Sequence, residues 1–242
     1  MIRFYFHHTP NPMKVALFLE ETGIPYEVIP IDTFKGEQHT STFRAINPNG
    51  KTPAIVDTEG LGEGPVTVFD SNAILLYLAE KSGQWLGRPA DRGQLLSWLM
   101  FVATGLGPYS GQSAHFRRAA PEPIPYAQNR YLREAERHYQ ILDAHLKARK
   151  YLVSENYTIV DIAAWGWIDR ANFVLGEGRL REFPISPDGS PASMRVRPWP
   201  GRALSPRMSR SNVRWTTRHG ATCSRRTTSP PDSITSNRRS MT

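Results

Sequence analysis

The chain has 242 residues, of which 39% are hydrophobic and 21% are charged. This composition is typical of a globular protein with one or two domains and a sizeable core. No apolar run approaches about 18 residues, so no membrane-spanning helix is predicted, and the N-terminus lacks a secretory-signal pattern. The single cysteine, Cys223, excludes an intramolecular disulfide, a CxxC redox pair and a cysteine-based zinc site, and makes the cytoplasm the default location.

The formal net charge of +8 is concentrated at the C-terminal end of the chain. Residues 185–242 contain 11 Arg, no Lys and two acidic residues, a net of +9, which leaves −1 for residues 1–184. Ser, Thr and Pro are frequent there, and no helical or strand period is sustained. We expect a disordered tail over 184–242, as a reading-frame shift would produce. An Arg-rich arm that binds nucleic acid is the alternative.

The first 83 residues predict a small α/β domain with the order β-α-β-(α)-β-β-α. Asn11 is expected to cap the first helix, with Pro12 at its first helical position and Gly23 just past its end. Ser71 is expected to open the last helix of this domain. Strands are predicted over 2–6, 26–31, 54–57 and 66–69.

Residues 88–183 predict an all-α domain, because the apolar pattern after Gly83 has only the helical period. Thr158 and Asp161 have the spacing of a capping box at a helix start. The helix that follows is almost wholly apolar over 163–168, as expected for a helix at the centre of a bundle. Two apolar stripes precede it, one formed by Leu95, Trp98, Leu99 and Val102 and one by Tyr131, Ala135, His138, Leu142 and Leu146.

An α/β domain of this size followed by a helical domain resembles the glutathione transferase superfamily. Residues 71–75, SNAIL, are similar to the signature of the third helix in that family's thioredoxin-like domain. Residues 51–54, KTPA, resemble the segment that carries its cis-proline, and the Thr158–Asp161 pair resembles its capping motif. The residues after 183 depart from the family pattern.

Three shorter motifs resemble the Nu-class, or Ure2-like, branch, which includes bacterial glutathione-dependent disulfide-bond oxidoreductases. They are TPN at 9–11, GLGP at 105–108 and IPYA at 124–127. The resemblance implies a thioredoxin-like N-terminal domain, an all-α second domain, glutathione as co-substrate, no metal, and a homodimer. Since no cysteine lies near the first helix, the reactive sulfur is expected to come from glutathione.

The resemblance implies that Thr9 and Asn11 stabilise the glutathione thiolate. They are expected where a strand ends and a helix begins, so that a hydroxyl, an amide and the helix dipole can meet at an anion. The alternative is that Asn11 only caps the helix and Thr9 only turns the chain. Tyr5, which alternates with apolar neighbours in the first strand, is expected to be structural.

The ends of glutathione are assigned to other loops on the same resemblance. Asp70 is expected to pair with the γ-glutamyl amine and Ser71 to bind its carboxylate, although a helix cap alone would need the same residues. If Thr52 and Pro53 are joined by a cis bond, as in the family, the Thr52 backbone faces the cysteinyl part of the ligand. Gln38 and Lys51 are candidates for the glycine carboxylate, with a plain surface role as the alternative for Lys51.

Arg130 is expected either to reach across a dimer interface, as in the Nu-class branch, or to be an ordinary surface arginine. His7 and His8 have no partner at metal-ligand spacing and are expected to be strand-end residues.

The favoured activity is thiol–disulfide exchange between bound glutathione and a small disulfide. Conjugation of glutathione to an apolar electrophile and a noncatalytic binding role are the alternatives.

Overall fold

The computed structural model describes residues 1–62 and 64–176. The predictions for the basic tail, and for the end of the helical domain up to residue 183, lie outside the described residues.

The N-terminal part folds around a four-stranded mixed sheet with the order β2-β1-β3-β4. Strand β1 pairs in parallel with β2 and antiparallel with β3, and β3 pairs antiparallel with β4. The alternating residues Ile2, Phe4 and Phe6 of β1 are buried, as their spacing predicts. The strands are β1, Ile2–Phe6; β2, Tyr26–Pro30; β3, Ala54–Asp57; and β4, Val66–Phe69.

Helix α1 spans Pro10–Thr22 and ends at Gly23, whose φ of +70° provides the expected left-handed end. The prediction that Asn11 caps this helix is wrong, because the N-cap residue is Thr9. Proline favours the first helical position, so the helix begins at Pro10, and Pro12 is tolerated in the first turn, where amide groups lack intrahelical partners. The other helical segments here are Glu37–His39 (a single 3₁₀ turn), α2, Ser41–Ile46, and α3, Ser71–Ser82.

The described residues after α3 are mainly helical, as predicted. A π-helical segment, Val102–Leu106, joins α4 to α5. Helix α7 is buried apart from Trp165, which is half-buried. No helix among the described residues is long and apolar enough to cross a membrane. After a 3₁₀ turn at Pro89–Asp91, the helices are α4, Arg92–Phe101; α5, Gly107–Arg118; α6, Pro125–Leu146; α7, Ile159–Ile168; and α8, Ala171–Leu175.

The capping box at the start of α7 is confirmed. The Asp161 carboxylate accepts from the backbone N–H of Leu152 at 2.9 Å and of Thr158 at 2.8 Å. The Thr158 hydroxyl accepts from the N–H of Val160 at 3.3 Å. Burial raises the pKa of Asp161 to about 6, while these hydrogen bonds act in the opposite direction. The carboxylate therefore joins the helix start to the preceding loop.

The two parts of the chain meet where α1 and α3 pack against α7. A Cβ atom at Gly166 would lie 2.7 Å from the Pro10 carbonyl oxygen, so a glycine is required for α1 to come this close to α7. The connection is also held by Trp85, whose ring makes edge contacts with Phe18 and Tyr157. The start of α1 is thus positioned by the helical domain.

We predict that Asp161→Ala destabilises the protein by about 3 kcal/mol, because it leaves the amides of Leu152 and Thr158 buried without an acceptor. Urea unfolding followed by circular dichroism measures the change. Glu155→Ala, at an exposed position in the loop before α7, is the control and should change stability by less than about 0.5 kcal/mol. Equal stability of the two variants would contradict the role given to Asp161.

Candidate functional site

Three loops leave the sheet at one edge. Tyr5 of β1 is opposite Ala54 of β3, and Ala54 is opposite Phe69 of β4. Because β3 runs antiparallel to both neighbours, the end of β1, the start of β3 and the end of β4 meet at this edge. The predicted site residues at 52–53 and 70–71 directly adjoin the ends of β3 and β4, and those at 9–11 lie a few residues after β1. Sheet register therefore brings together three segments that are distant in sequence.

The first turn of α1 has few backbone donors to offer. Pro10 and Pro12 have no N–H, and the N–H of Thr9 already donates to the His7 carbonyl oxygen at 2.7 Å. The N–H of Met13 donates to the Thr9 carbonyl oxygen at 3.2 Å. Within the described residues, this leaves the backbone N–H of Asn11 as the unpaired donor of the turn.

The side chains of Thr9 and Asn11 are not used by the helix. The Thr9 side chain makes no capping hydrogen bond, and it is exposed, while Asn11 is half-buried. Neither makes a side-chain hydrogen bond within the described part of the chain. A hydroxyl, a primary amide and one backbone N–H are therefore available at the positive end of a helix, where they can bind an anion.

The bond between Thr52 and Pro53 is cis, as the resemblance implies. Pro53 is buried and immediately precedes β3. The backbone N–H and C=O of Thr52 make no hydrogen bond to another described residue, so both can pair with an extended ligand as a neighbouring strand would.

Asp70, and not Ser71, caps α3. The Asp70 carboxylate accepts from the N–H of Asn72 at 2.8 Å and of Ala73 at 3.2 Å. Asp70 has a φ of +70°, which is uncommon for a residue other than glycine, and its side chain is exposed at the sheet edge. Ser71 begins the helix, is 3% exposed and makes no capping bond.

Gln38 adjoins the loop that precedes the cis bond. A Cβ atom at Gly50 would lie 3.2 Å from the Gln38 carbonyl oxygen. The Gln38 amide nitrogen donates to the Thr33 carbonyl oxygen at 3.3 Å, while its Oε1 is buried without a partner in the described chain. Lys51 follows Gly50 directly and is exposed. These two predicted residues are thus close to each other beside the cis-proline segment.

Arg130 lies away from this edge, on the second turn of α6. Its guanidinium donates to the Glu134 carboxylate at 2.6 Å, and this ion pair raises the pKa of Arg130. Helix α6 packs chiefly against α5, α8 and the π-helical segment. Within one chain, the structure does not bring Arg130 to the other predicted residues.

His7 has structural partners at the end of β1. Its Nδ1 lies 2.9 Å from the Ile31 carbonyl oxygen and its Nε2 lies 2.9 Å from the Thr33 hydroxyl. Tyr5 makes an edge contact with the ring of Phe43. Among the described residues, no group of three or more His, Cys, Asp or Glu side chains could hold a metal ion.

Sequence reasoning did not single out Lys14, which lies on α1 about one helical turn after Asn11. Its side chain is 1% exposed, and its Nζ lies 5.9 Å from the ring centroid of Trp167. Burial lowers the pKa of Lys14 from 10.5 to about 7, against a smaller raising effect of Asp70. The sequence signal for its position on the buried face of α1 was helical spacing, since Lys14 lies four residues before the buried Phe18.

A thioredoxin-like sheet joined to a set of packed helices, with a polar site at the sheet edge, is the arrangement of a glutathione transferase. The family model described as "Glutathione S-transferase, N-terminal domain" matches residues 8–81, and "Glutathione S-transferase, C-terminal domain" matches residues 125–192. The chain is 47% identical over 171 residues to disulfide-bond oxidoreductase YfcG of Escherichia coli, covering 70% of this chain and 80% of that protein. This chain belongs to the glutathione S-transferase family.

Solved structures of the family are similar to this fold. A family member from Pseudomonas fluorescens, with two glutathione molecules bound, has a TM-score of 0.73 and 38% identity, covering 79% of this chain and 86% of that one. A glutathione transferase from Pseudomonas putida, with one glutathione disulfide bound per subunit, has a TM-score of 0.70 and 35% identity, covering 83% and 92%.

The lowered pKa of Lys14 predicts a pH-dependent stability difference between the wild type and Lys14→Met. Between the folded pKa of about 7 and the unfolded value of 10.5, the unfolded chain binds one more proton at this site. Wild-type stability therefore rises with pH relative to Lys14→Met, by up to about 1.4 kcal/mol per pH unit. Below the folded pKa the difference is constant.

Urea unfolding of both proteins at a series of pH values measures this difference. Lys147→Met, which removes an exposed lysine at the end of α6, is the control for loss of a surface lysine. A pH-independent difference for Lys14→Met would contradict the titration assigned to this residue.

Proposed function

We propose that this protein is a glutathione-dependent thiol–disulfide oxidoreductase. The observation that carries the proposal is the convergence of an unpaired hydroxyl, amide and backbone N–H at the first turn of α1, in a part of the chain without a cysteine thiol. The similarity to YfcG, named a disulfide-bond oxidoreductase, supports the same activity. The bound glutathione structures of the family support glutathione as the source of the sulfur.

The Thr9 hydroxyl, the Asn11 amide and the Asn11 N–H donate hydrogen bonds to the glutathione thiolate in this proposal. An ordinary thiol with a pKa of about 8.5 is only a few per cent ionised at neutral pH, so donors that favour the anion raise the reactive fraction. The thiolate attacks one sulfur of a small disulfide, forming a mixed disulfide and releasing the other sulfur as a thiolate that takes up a proton. A second glutathione thiolate then attacks the mixed disulfide, giving glutathione disulfide and the second product thiol.

The remaining predicted residues hold the rest of the tripeptide. The Thr52 backbone pairs with the cysteinyl segment. Asp70 pairs with the γ-glutamyl amine, and the Ser71 hydroxyl binds the γ-glutamyl carboxylate. Gln38 and Lys51, which lie beside the cis bond, bind the glycine carboxylate. The carboxylate of Asp70 thus has two roles, because it caps α3 and also pairs with the charged amine of the ligand.

We further propose that the protein acts as a cytoplasmic homodimer, with domains at 1–83 and 88–183. The start of α6 supports a dimer, because the large side chains of Ile124 and Tyr126 are 39% and 80% exposed there. Arg130 lies on the next turn and extends toward the partner subunit's ligand. A reducing compartment suits an enzyme whose reaction consumes reduced glutathione.

The activity is tested with glutathione and 2-hydroxyethyl disulfide. We expect glutathione disulfide as the product, and we expect Thr9→Ala combined with Asn11→Ala to lower turnover at least tenfold. Binding of S-methylglutathione should stay within about threefold of the wild type, because this ligand has no thiol to ionise. Stability should change little, since neither side chain caps α1.

Thr42→Ala combined with Asn172→Ala, at two exposed positions on α2 and α8, is the matched control and should keep wild-type turnover. Formation of a thioether with an aromatic halide, without disulfide reduction, would favour conjugation instead. Binding without either reaction would favour a noncatalytic role. Unchanged turnover in the Thr9 and Asn11 variant would contradict the roles of these residues.

Asp70→Asn is expected to weaken glutathione binding about tenfold, because the amine loses its counter-charge. Asparagine still caps α3 and accepts a positive φ, so the fold should be retained. Isothermal titration calorimetry measures the affinity. Asp143→Asn, on α6, provides the control for loss of one carboxylate, and equal affinities of the two variants would rule out a charge-based role for Asp70.

A further inference from the structure

Lys14 is a buried lysine on α1, about one helical turn after the proposed thiol site. It follows Asn11 by three residues, a rise of about 4.5 Å along α1, on the same helix face. Side chains of a helix tilt toward its N-terminus, so the Lys14 stem is directed to the first turn. Its 1% exposure means that water does not screen the ammonium there as it screens a surface lysine.

The enclosure around Lys14 is built by the helical domain. A Cβ atom at Gly166 would lie 2.6 Å from Lys14 Cγ and 3.1 Å from Lys14 Cε, so the absence of a side chain at this position makes room for the lysine stem. The ring of Trp167 lies beside the ammonium, with Nζ 5.9 Å from its centroid, and a ring face attracts a cation. Glycine and tryptophan at adjacent positions of α7 therefore form a pocket for this side chain.

Few charged groups act on Lys14 from the elements packed against it. Asp70, at the start of α3, is the acidic residue whose charge favours the ammonium. On α7 the residues that contact Lys14, Gly166 and Trp167, do not titrate. Asp161 lies near the start of α7, and Asp169 and Arg170, which form an ion pair with each other, directly follow its end. No salt bridge to Lys14 occurs within the described residues. A further negative charge nearby would therefore stabilise the ammonium form of Lys14.

We propose that Lys14 is a positioning residue for glutathione chemistry: its ammonium, enclosed between α1 and α7 beside the ring of Trp167, supplies a positive charge below the first turn of α1 that favours the thiolate form of glutathione bound there. This inference rests on the proposed function, since it requires glutathione at that turn. Lys14 touches neither the ligand nor the disulfide. It acts through the electric field across the turn that carries Asn11.

The effect of Lys14 on the sulfur is reciprocal. A positive charge favours the thiolate, and the thiolate in turn favours the protonated form of Lys14 by the same coupling. Interactions over a few ångströms in a water-poor interface are several times stronger than in bulk water. Removing a purely structural lysine would leave the ionisation of the thiol unaffected, which is the distinction that an experiment can measure.

The test compares the ionisation of bound glutathione in the wild type, Lys14→Met and Lys147→Met. Methionine keeps the length of the buried stem and removes the charge, and Lys147→Met removes an exposed lysine by the same substitution. The ultraviolet absorbance of the thiolate is recorded against pH, with the S-methylglutathione complex as the blank. We expect the pKa of the bound thiol to rise by about one unit in Lys14→Met only, a roughly tenfold smaller thiolate fraction at a pH well below the pKa.

Turnover at low pH should fall by the same factor in Lys14→Met, while its affinity for S-methylglutathione stays within about threefold of the wild type. Lys14→Gln, which is uncharged but polar, should give the same pKa change if charge is the cause. A bound thiol that titrates identically in the wild type and in both Lys14 variants would overturn the role of Lys14 and leave the proposed function standing. If bound glutathione titrates in the wild type as it does in free solution, the proposed function and this inference both fail.

Discussion

Helix α1 meets α7 at Gly166, at a separation that a methyl group would prevent. This contact fixes the direction of α1, and with it the position of the turn that carries Thr9 and Asn11. It also places Lys14 inside the protein, although α1 begins at the surface. The capping box of Asp161 anchors the start of α7, so the helix that receives α1 is itself held by buried hydrogen bonds. The proposed ligand site at the sheet is in this way organised by the helical part of the chain.

The sheet also positions the proposed site, through the register of its strands. The register that sets Tyr5, Ala54 and Phe69 side by side brings three loops to one edge. Each loop then adds a different kind of group: free side-chain donors after β1, an unpaired backbone before β3, and a carboxylate at a strained position after β4. Glutathione has a thiol, a peptide backbone and charged ends, and this set of groups is complementary to it.

The sequence allowed the fold to be predicted because its signals are local. Alternation in β1, the glycine at position 23 and the four-residue spacing of Thr158 and Asp161 each depend on neighbouring residues only. The start of α1 could not be predicted as well, because two prolines separated by one residue permit two helix starts. Likewise, Asp70 and Ser71 are both good capping residues, and the positive φ of Asp70 that decides between them depends on the end of β4. Lys14 was missed for a different reason: its spacing from Phe18 only places it on the buried face of α1, and the room for its side chain is left by Gly166, which is distant in the sequence.

The two prolines in the first turn of α1 affect how the site can change during evolution. In many anion-binding helices the backbone amides make the contacts, so point mutations leave the recognition unaltered. Here Pro10 and Pro12 remove two of those amides, and in the proposed complex the contacts are made by the side chains at positions 9 and 11. If these side chains face the sulfur as proposed, exchange of one or two codons replaces the group that contacts it while the helix and its packing stay the same. The architecture favours divergence in reactivity among relatives that share one scaffold.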